Sequence, residues 1–159
     1  METAPIVIPL WDYGWLGRDS VSLVTAPSDA ALLEQYVTSP AFHTSFLPSD
    51  KDETGIHGPF LADRIKASDF VPLDEASLER YLESVQLSET PGEDGIERAK
   101  VLPHLRSAFD GGSRCHVLSV DERNKDLFHE WGFVLYIFRE FLFIGSERDR
   151  LDRFIIGYD

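Results

Sequence analysis

The C-terminal third of the chain carries apolar residues in the spacing of β-strands. Residues 114–120 alternate between the two sides of an extended chain, 131–144 form the most apolar stretch, and 151–158 form a third apolar segment. Period-two alternation and short apolar runs bounded by polar turns are typical of strands. We therefore predict an antiparallel β-meander over 114–158, in which the following side chains are mostly buried: Leu135, Phe141, Phe143, Phe154 and Ile156.

Helical spacing of apolar residues is found earlier in the chain. It is clearest over 75–86, where Asp74 is a favourable N-cap. Ser28 is a second candidate N-cap, and its helix is expected to end before Pro40, because proline disfavours helical backbone in the residue before it. A weaker helical pattern covers 96–109. The spacing thus predicts three helices, all in the first two thirds of the chain.

Shorter elements are expected in the N-terminal half. Residues 6–8 predict a strand between two prolines, which places it at a sheet edge because proline cannot donate to a β-ladder. Residues 20–25 predict another strand. Residues 60–67 predict a short helix, with Pro59 at its first position.

The order of these elements predicts the fold class. Helices that precede the strands, rather than alternating with them, favour an α+β fold over a parallel α/β fold. A chain of 159 residues is about the length of one domain. We expect a single domain over residues 1–159, α+β, with helices in the first two thirds packed on an antiparallel β-meander formed mainly by residues 114–158.

The net charge of the chain indicates which classes of partner it is expected to bind. It has 28 acidic and 15 basic residues, for a net charge of −13. Such a surface repels phosphate backbones and anionic membranes, so we expect no nucleic-acid partner and no membrane partner. Residues 50–100 are the most acidic part, with thirteen acidic and six basic residues. A field of this sign favours encounter with basic proteins.

The number of cysteines and the length of the apolar runs indicate the cellular compartment of the protein. The single cysteine, Cys115, excludes an intramolecular disulfide and a multi-cysteine zinc site. The N-terminus lacks the basic region of a signal peptide, and the longest apolar run, 133–138, is far shorter than the ~20 residues of a membrane helix. These features predict a cytoplasmic protein without cofactors.

The segment Asp50–Gly55 is the most motif-like piece of the chain. Its DxDxT pattern matches a phosphatase nucleophile motif, but that chemistry needs a preceding buried strand, and Leu47-Pro48-Ser49 does not provide one. As an EF-hand loop it would place Leu61 where a bidentate glutamate is required. We therefore predict an exposed, metal-free loop.

Four residues of the predicted meander form the basis of an enzyme hypothesis. His116, His129, Arg139 and Glu140 could assemble a hydrolase-like site if the fold brought them together. Arg139 and Glu140 interrupt an apolar run, which also fits a tight turn, or a strand whose charge pairs with a neighbour such as Arg153 or Glu130. The salt-bridged interpretation is preferred. Cys115 and His116 cannot pair with each other, because adjacent strand residues point to opposite faces.

The acidic middle of the chain suggests a different function. Its carboxylates either solvate an ordinary helix surface or form a binding face for a basic protein. The binding hypothesis predicts a non-enzymatic inhibitor without catalytic residues, similar in size and charge to the immunity proteins and antitoxins that occlude basic, nuclease-type toxins. The carboxylates expected to contact the partner are Asp69, Glu75, Glu79, Glu83 and Glu93.

Overall fold

A six-stranded antiparallel sheet is the centre of the fold, in a computed structural model that describes residues 6–10, 14–44, 46, 55–84, 98–130 and 137–158. Its strands lie in the order β1-β2-β8-β7-β6-β5, and β3 and β4 form a separate hairpin. The strands are β1 (Ile6–Pro9), β2 (Gly14–Ser22), β3 (Ile56–His57), β4 (Phe60–Leu61), β5 (Phe70–Leu73), β6 (Arg114–Leu118), β7 (Ile137–Ile144) and β8 (Arg150–Tyr158). The helices are α1 (Asp29–Thr38), α2 (Glu75–Ser84) and α3 (Arg98–Ala108).

The predicted α+β class and the C-terminal meander are confirmed. β6, β7 and β8 are neighbours in sequence order, and each pair is antiparallel, with His116 opposite Leu142 and Phe141 opposite Phe154. The sheet extends beyond the meander, because β5 adds to β6 and the hairpin of β1 and β2 adds to β8. Of the five side chains expected in the core, four are buried, and Leu135 lies outside the described residues.

The two faces of the sheet carry separate cores, because successive strand side chains point to opposite sides. On one side, which we call the α1 face, α1 and the described residues of 39–46 and 55–70 pack on residues such as Leu142 and Ile155. On the other side, the α2–α3 face, α2 and α3 pack on residues such as Phe141 and Ile156. The helices therefore cover both faces of the sheet rather than one.

The two N-cap residues predicted from the sequence, Ser28 and Asp74, stand at the starts of α1 and α2 in the structure. The Ser28 hydroxyl accepts a hydrogen bond from the backbone N–H of Ala31 at 3.1 Å, and the Asp74 carboxylate accepts one from Ser77 at 2.8 Å. Each bond satisfies a backbone donor that the first helical turn leaves unpaired. α3 contains Pro103 in its interior, as the sequence pattern indicates. None of the described helices is long and apolar enough to cross a bilayer.

One edge strand of the sheet, β1, is as the proline pattern predicts, whereas β5 at the other edge is a strand that the sequence analysis does not predict. β1, with Pro9 at its end, is one edge strand, and β5, which contains Pro72, is the other. Proline removes a ladder donor, so both edges are poor templates for adding a further strand.

Two shorter predictions differ from the structure. The helix expected over 60–67 is instead strand β4 followed by a 3₁₀ turn over Ala62–Arg64, because Phe60 pairs with His57 across the hairpin. The strand expected over 20–25 ends at Ser22 and begins earlier, at Gly14, where the register with β8 starts. The acidic loop at Asp50 lies outside the described residues, and its exposure and metal content stay predictions.

Candidate functional site

The predicted binding carboxylates of α2 lie on one flank of that helix. Glu75, Glu79 and Glu83 are exposed and repeat every four residues, while Leu78 and Leu82 of the same helix are buried against the sheet. Residues four apart on a helix are neighbours on its surface. The three carboxylates thus form a line along the solvent side of the molecule, which we call the acidic stripe.

Basic residues of the neighbouring helix α3 offset part of the negative charge of the acidic stripe. Arg106 of α3 contacts the Glu79 carboxylate at 3.4 Å, whereas Glu75 and Glu83 have no ion pair among the described residues. The described charges of this layer balance, with Asp74, Glu75, Glu79 and Glu83 against Arg80, Arg98, Lys100 and Arg106. Much of the local excess of negative charge comes instead from residues 85–97, which contain four acidic and no basic residues and lie outside the described part.

The other two predicted binding residues are placed differently. Asp69 is half-buried, and its carboxylate accepts a hydrogen bond from the Lys66 backbone N–H at 2.7 Å, so it stabilises a local turn. Glu93 lies outside the described residues. Of the five predicted carboxylates, Glu75 and Glu83 are therefore the two that the described structure shows exposed and without an ion pair among the described residues.

The four residues of the enzyme hypothesis do not share one pocket. Arg139 and Glu140 are consecutive on β7, so Glu140 points to the α1 face and Arg139 to the α2–α3 face. His116 lies beside Asp29, and the His129 ring is 2.8 Å from the Gly58 carbonyl oxygen. Cys115 faces the α2–α3 core, away from His116, and burial raises the pKa of its thiol well above the usual value. Among the described residues, no group of three or more histidine, cysteine or acidic side chains could hold a metal ion.

Glu140 belongs to a buried polar cluster that the sequence did not reveal. One carboxylate oxygen accepts a hydrogen bond from the Tyr36 hydroxyl at 2.5 Å, and the other lies 2.5 Å from Nε2 of His57. Nδ1 of His57 lies 2.6 Å from the Phe42 carbonyl oxygen, which can only accept, so Nδ1 carries a proton. The side chains of Glu140, His57 and Tyr36 are all fully buried.

Arg153 and Asp19 complete the cluster. The guanidinium of Arg153 donates to the Tyr36 hydroxyl at 3.1 Å and to the Ala41 carbonyl at 2.7 Å, and it pairs with the Asp19 carboxylate at 2.5 Å. Burial alone opposes the charge on Arg153, but the Tyr36 hydroxyl and Asp19 raise its pKa overall. Burial, and next the charge on Glu140, raise the pKa of Tyr36 well above its usual value. Tyr36 therefore stays a neutral donor.

The cluster holds the fold together rather than presenting reactive groups. It joins α1, β2, β7 and β8 to Ala41 and His57, and the His57 ring stacks on Phe42 with centroids 3.7 Å apart. Arg153 is paired with Asp19, and His57 contacts Glu140, so each titratable group of these two pairs faces a partner. Tyr36, His57 and Glu140 are fully buried, whereas Asp19 at the end of the cluster is partly exposed.

A second ionic contact fixes the start of α1. The Asp29 carboxylate accepts two hydrogen bonds from Arg114 at 2.6 Å and one from Arg148 at 2.9 Å. The bonds from Arg114, followed by that from Arg148, outweigh burial and lower the pKa of Asp29 from 3.8 to about 2. Burial lowers the pKa of nearby His116, which favours its neutral form.

The Asp29 contact predicts an acid-sensitive part of the stability. Because the folded pKa lies below 3.8, the contribution is fully present above that value and is lost as the pH falls through about 2. We expect Asp29→Asn to be about 2 kcal/mol less stable than the wild type near pH 6, and the difference to vanish near pH 2. Urea unfolding across this range measures it. The exposed Asp63→Asn variant is the control, and a gap at Asp29 that does not change with pH contradicts the assignment.

A surface pocket of about 230 Å³ opens where β6 ends and β7 begins. Arg139 and Glu122 lie on its rim and form an ion pair at 2.5 Å. Tyr81 and Ser84 of α2 contribute one wall, and burial raises the pKa of the Tyr81 hydroxyl to about 12. The remaining lining residues are Phe60, Leu118, Ser119, Val120 and Phe138.

Comparison with known proteins adds little to this description. No protein-family model matches the chain, and no curated protein matches it in sequence. A crystal structure of citrus MAF1 in space group C 2 2 21 is similar over 95% of this chain and 91% of its own, with 11% identity and a TM-score of 0.43. A second, in space group P 31 2 1, has 12% identity, 91% and 87% coverage, and a TM-score of 0.39. Scores this low carry no argument about function.

Proposed function

We propose that this chain is a cytoplasmic protein-binding module that captures a basic protein through its acidic surface. The observation that carries the proposal is the acidic stripe on α2, in which Glu75 and Glu83 are exposed and lack ion pairs among the described residues. A net charge of −13 supplies the long-range attraction. The failure of His116, His129, Arg139 and Glu140 to share a pocket supports a binding protein over the enzyme hypothesis.

The mechanism we infer is steric occlusion. Carboxylates at positions 69, 75, 79, 83 and 93 take the place of the anionic groups that a basic partner binds. In this role the chain acts as an inhibitor of the immunity-protein or antitoxin type, and its target is a basic toxin or nuclease. The buried cluster around Glu140 supports this role, because a rigid scaffold lowers the entropy cost of association.

The proposal predicts a salt-dependent association. A partner recovered from the native organism should bind more slowly as ionic strength rises, because salt screens the steering field, while its dissociation rate changes much less. Surface plasmon resonance between about 50 and 500 mM NaCl measures both rates, a range over which the Debye length falls to a few ångströms. If the partner is not basic, or if its association rate ignores salt, the acidic surface is not the binding face.

A further inference from the structure

The surface pocket beside α2 has the size and chemistry of a site for one long side chain. Its volume is about 230 Å³, below the roughly 300–1,000 Å³ of sites that hold whole small molecules. The buried side chains of Phe60, Leu118 and Phe138 form its apolar lining, and its polar lining includes Tyr81, Ser84 and the ion pair of Glu122 with Arg139. An aliphatic stem with a polar, planar head matches this combination.

Glu122 keeps acceptor capacity beyond its contact with Arg139. Its two carboxylate oxygens accept hydrogen bonds from Arg139, one at 2.5 Å and a longer one at 3.4 Å. The Glu122 side chain is also 46% exposed, while that of Arg139 is 19% exposed. A carboxylate has about four lone-pair sites, so Glu122 can accept a second guanidinium without releasing Arg139.

The same chain already contains the two contacts that such a ligand needs. Asp29 is one carboxylate that binds two guanidiniums, those of Arg114 and Arg148. Arg153 places its guanidinium over the Phe46 ring, with the central carbon 4.7 Å from the ring centroid. At the pocket, Glu122 and Tyr81 are both lining residues, and they offer the corresponding acceptor and aromatic ring.

We propose that this pocket binds an arginine side chain of the basic partner, with its guanidinium held by Glu122 and Tyr81 and its stem against Phe138. This rests on the proposed function, since it names the residue of the partner that anchors the complex. Arginine fits better than lysine, because its planar head binds a carboxylate through two donors and stacks on aromatic rings. Arginine is also among the residues that carry most of the binding energy in protein interfaces.

A peptide titration tests the pocket without the partner. The probe is acetyl-Gly-Arg-Gly-amide, followed by ¹⁵N NMR of the full chain, with the lysine and citrulline peptides as comparisons. We expect saturable shifts at Tyr81, Ser84, Ser119, Val120 and Arg139, weaker binding of the lysine peptide and none of the neutral citrulline peptide. Glu122→Gln should weaken binding about tenfold or more, the loss of one charged hydrogen bond.

Two matched tryptophan variants separate the pocket from the general acidic surface. Ser84 and Ser107 are both exposed serines near a helix C-terminus, and each hydroxyl donates to the carbonyl three residues earlier. Ser84→Trp fills the pocket and should abolish binding, whereas Ser107→Trp should leave it unchanged. Equal binding by both variants, by Glu122→Gln or by the citrulline peptide overturns the proposal, and so does a lysine peptide that binds as tightly.

The test of the pocket and the test of the acidic stripe can fail independently of each other. If Ser84→Trp binds the arginine peptide normally while association with the partner still depends on salt, the pocket proposal fails and the proposed function stands. If the arginine peptide binds as expected while association ignores salt, the pocket is an arginine site and the acidic surface is not the binding face.

Discussion

Replacing Glu140 with alanine is expected to lower the free energy of unfolding by about 3–5 kcal/mol, the cost of breaking a buried ion pair by removing one partner. The variant leaves the Tyr36 hydroxyl and Nε2 of His57 buried without their acceptor. It also leaves the guanidinium of Arg153 beside a hydroxyl that has lost its own acceptor. Urea unfolding at neutral pH measures the loss.

Glu122→Ala is the matched control for this experiment. Glu122 is also paired with an arginine, but it is exposed, so its loss is expected to cost about 0–1 kcal/mol. Glu140→Gln should lie between the two, because it keeps the volume and one carbonyl acceptor. Equal losses for Glu140→Ala and Glu122→Ala show that the buried cluster contributes no more than a surface contact.

Replacing Leu105 with alanine is expected to cost about 2–5 kcal/mol, the usual range for truncating a buried leucine. Leu105 is fully buried between α3 and the sheet, in the same core as Leu78 of α2 and Phe143 of β7. The loss therefore reports on the packing of the whole α2–α3 layer. Thermal and chemical unfolding of the variant measure it.

Leu102→Ala provides the comparison on the same helix. Leu102 is only partly buried and packs at the margin of that core, so its truncation should cost clearly less. If Leu102→Ala is as destabilising as Leu105→Ala, then α3 does not present the face described here to the sheet.

The parts of the fold that the sequence predicts are those set by near neighbours. The caps at Ser28 and Asp74 are bonds across three residues, and the β6–β7–β8 meander joins strands that follow one another. The helix expected after Pro59 is wrong because Phe60 pairs with His57, and that pairing outweighs the favourable position of proline at a helix start. Such competition is decided by tertiary contacts.

The buried cluster could not be predicted because its partners are far apart in sequence. Glu140 meets His57 across 83 residues and Tyr36 across 104 residues. The interruption of an apolar run by Arg139 and Glu140 is the available signal, and it predicts a pair with a neighbouring charge such as Arg153 or Glu130. Arg153 does join Glu140, but through the Tyr36 hydroxyl rather than by a direct pair. Neither His57 nor Tyr36 has a local pattern that singles it out.

The acidic stripe is predictable only in part for the same reason. The spacing of Glu75, Glu79 and Glu83 predicts one exposed flank of α2, and the structure has it. The proximity of α3, which brings Arg106 to Glu79, depends on how two helices pack and does not follow from either helix alone. Counting charged residues along the sequence therefore overestimates the negative electrostatic potential at the surface of α2.

Charge reversal at the acidic stripe tests the proposed function most directly. Glu75→Lys with Glu83→Lys alters the stripe, while Glu34→Lys with Glu147→Lys makes the same change in net charge at exposed positions on α1 and in the turn between β7 and β8. The measurement is the association rate of each double variant with the recovered partner at low salt. A binding face on α2 predicts that the first variant associates at least about tenfold more slowly than the second, since steered association exceeds the basal rate by tenfold or more. Equal rates for the two variants would contradict it.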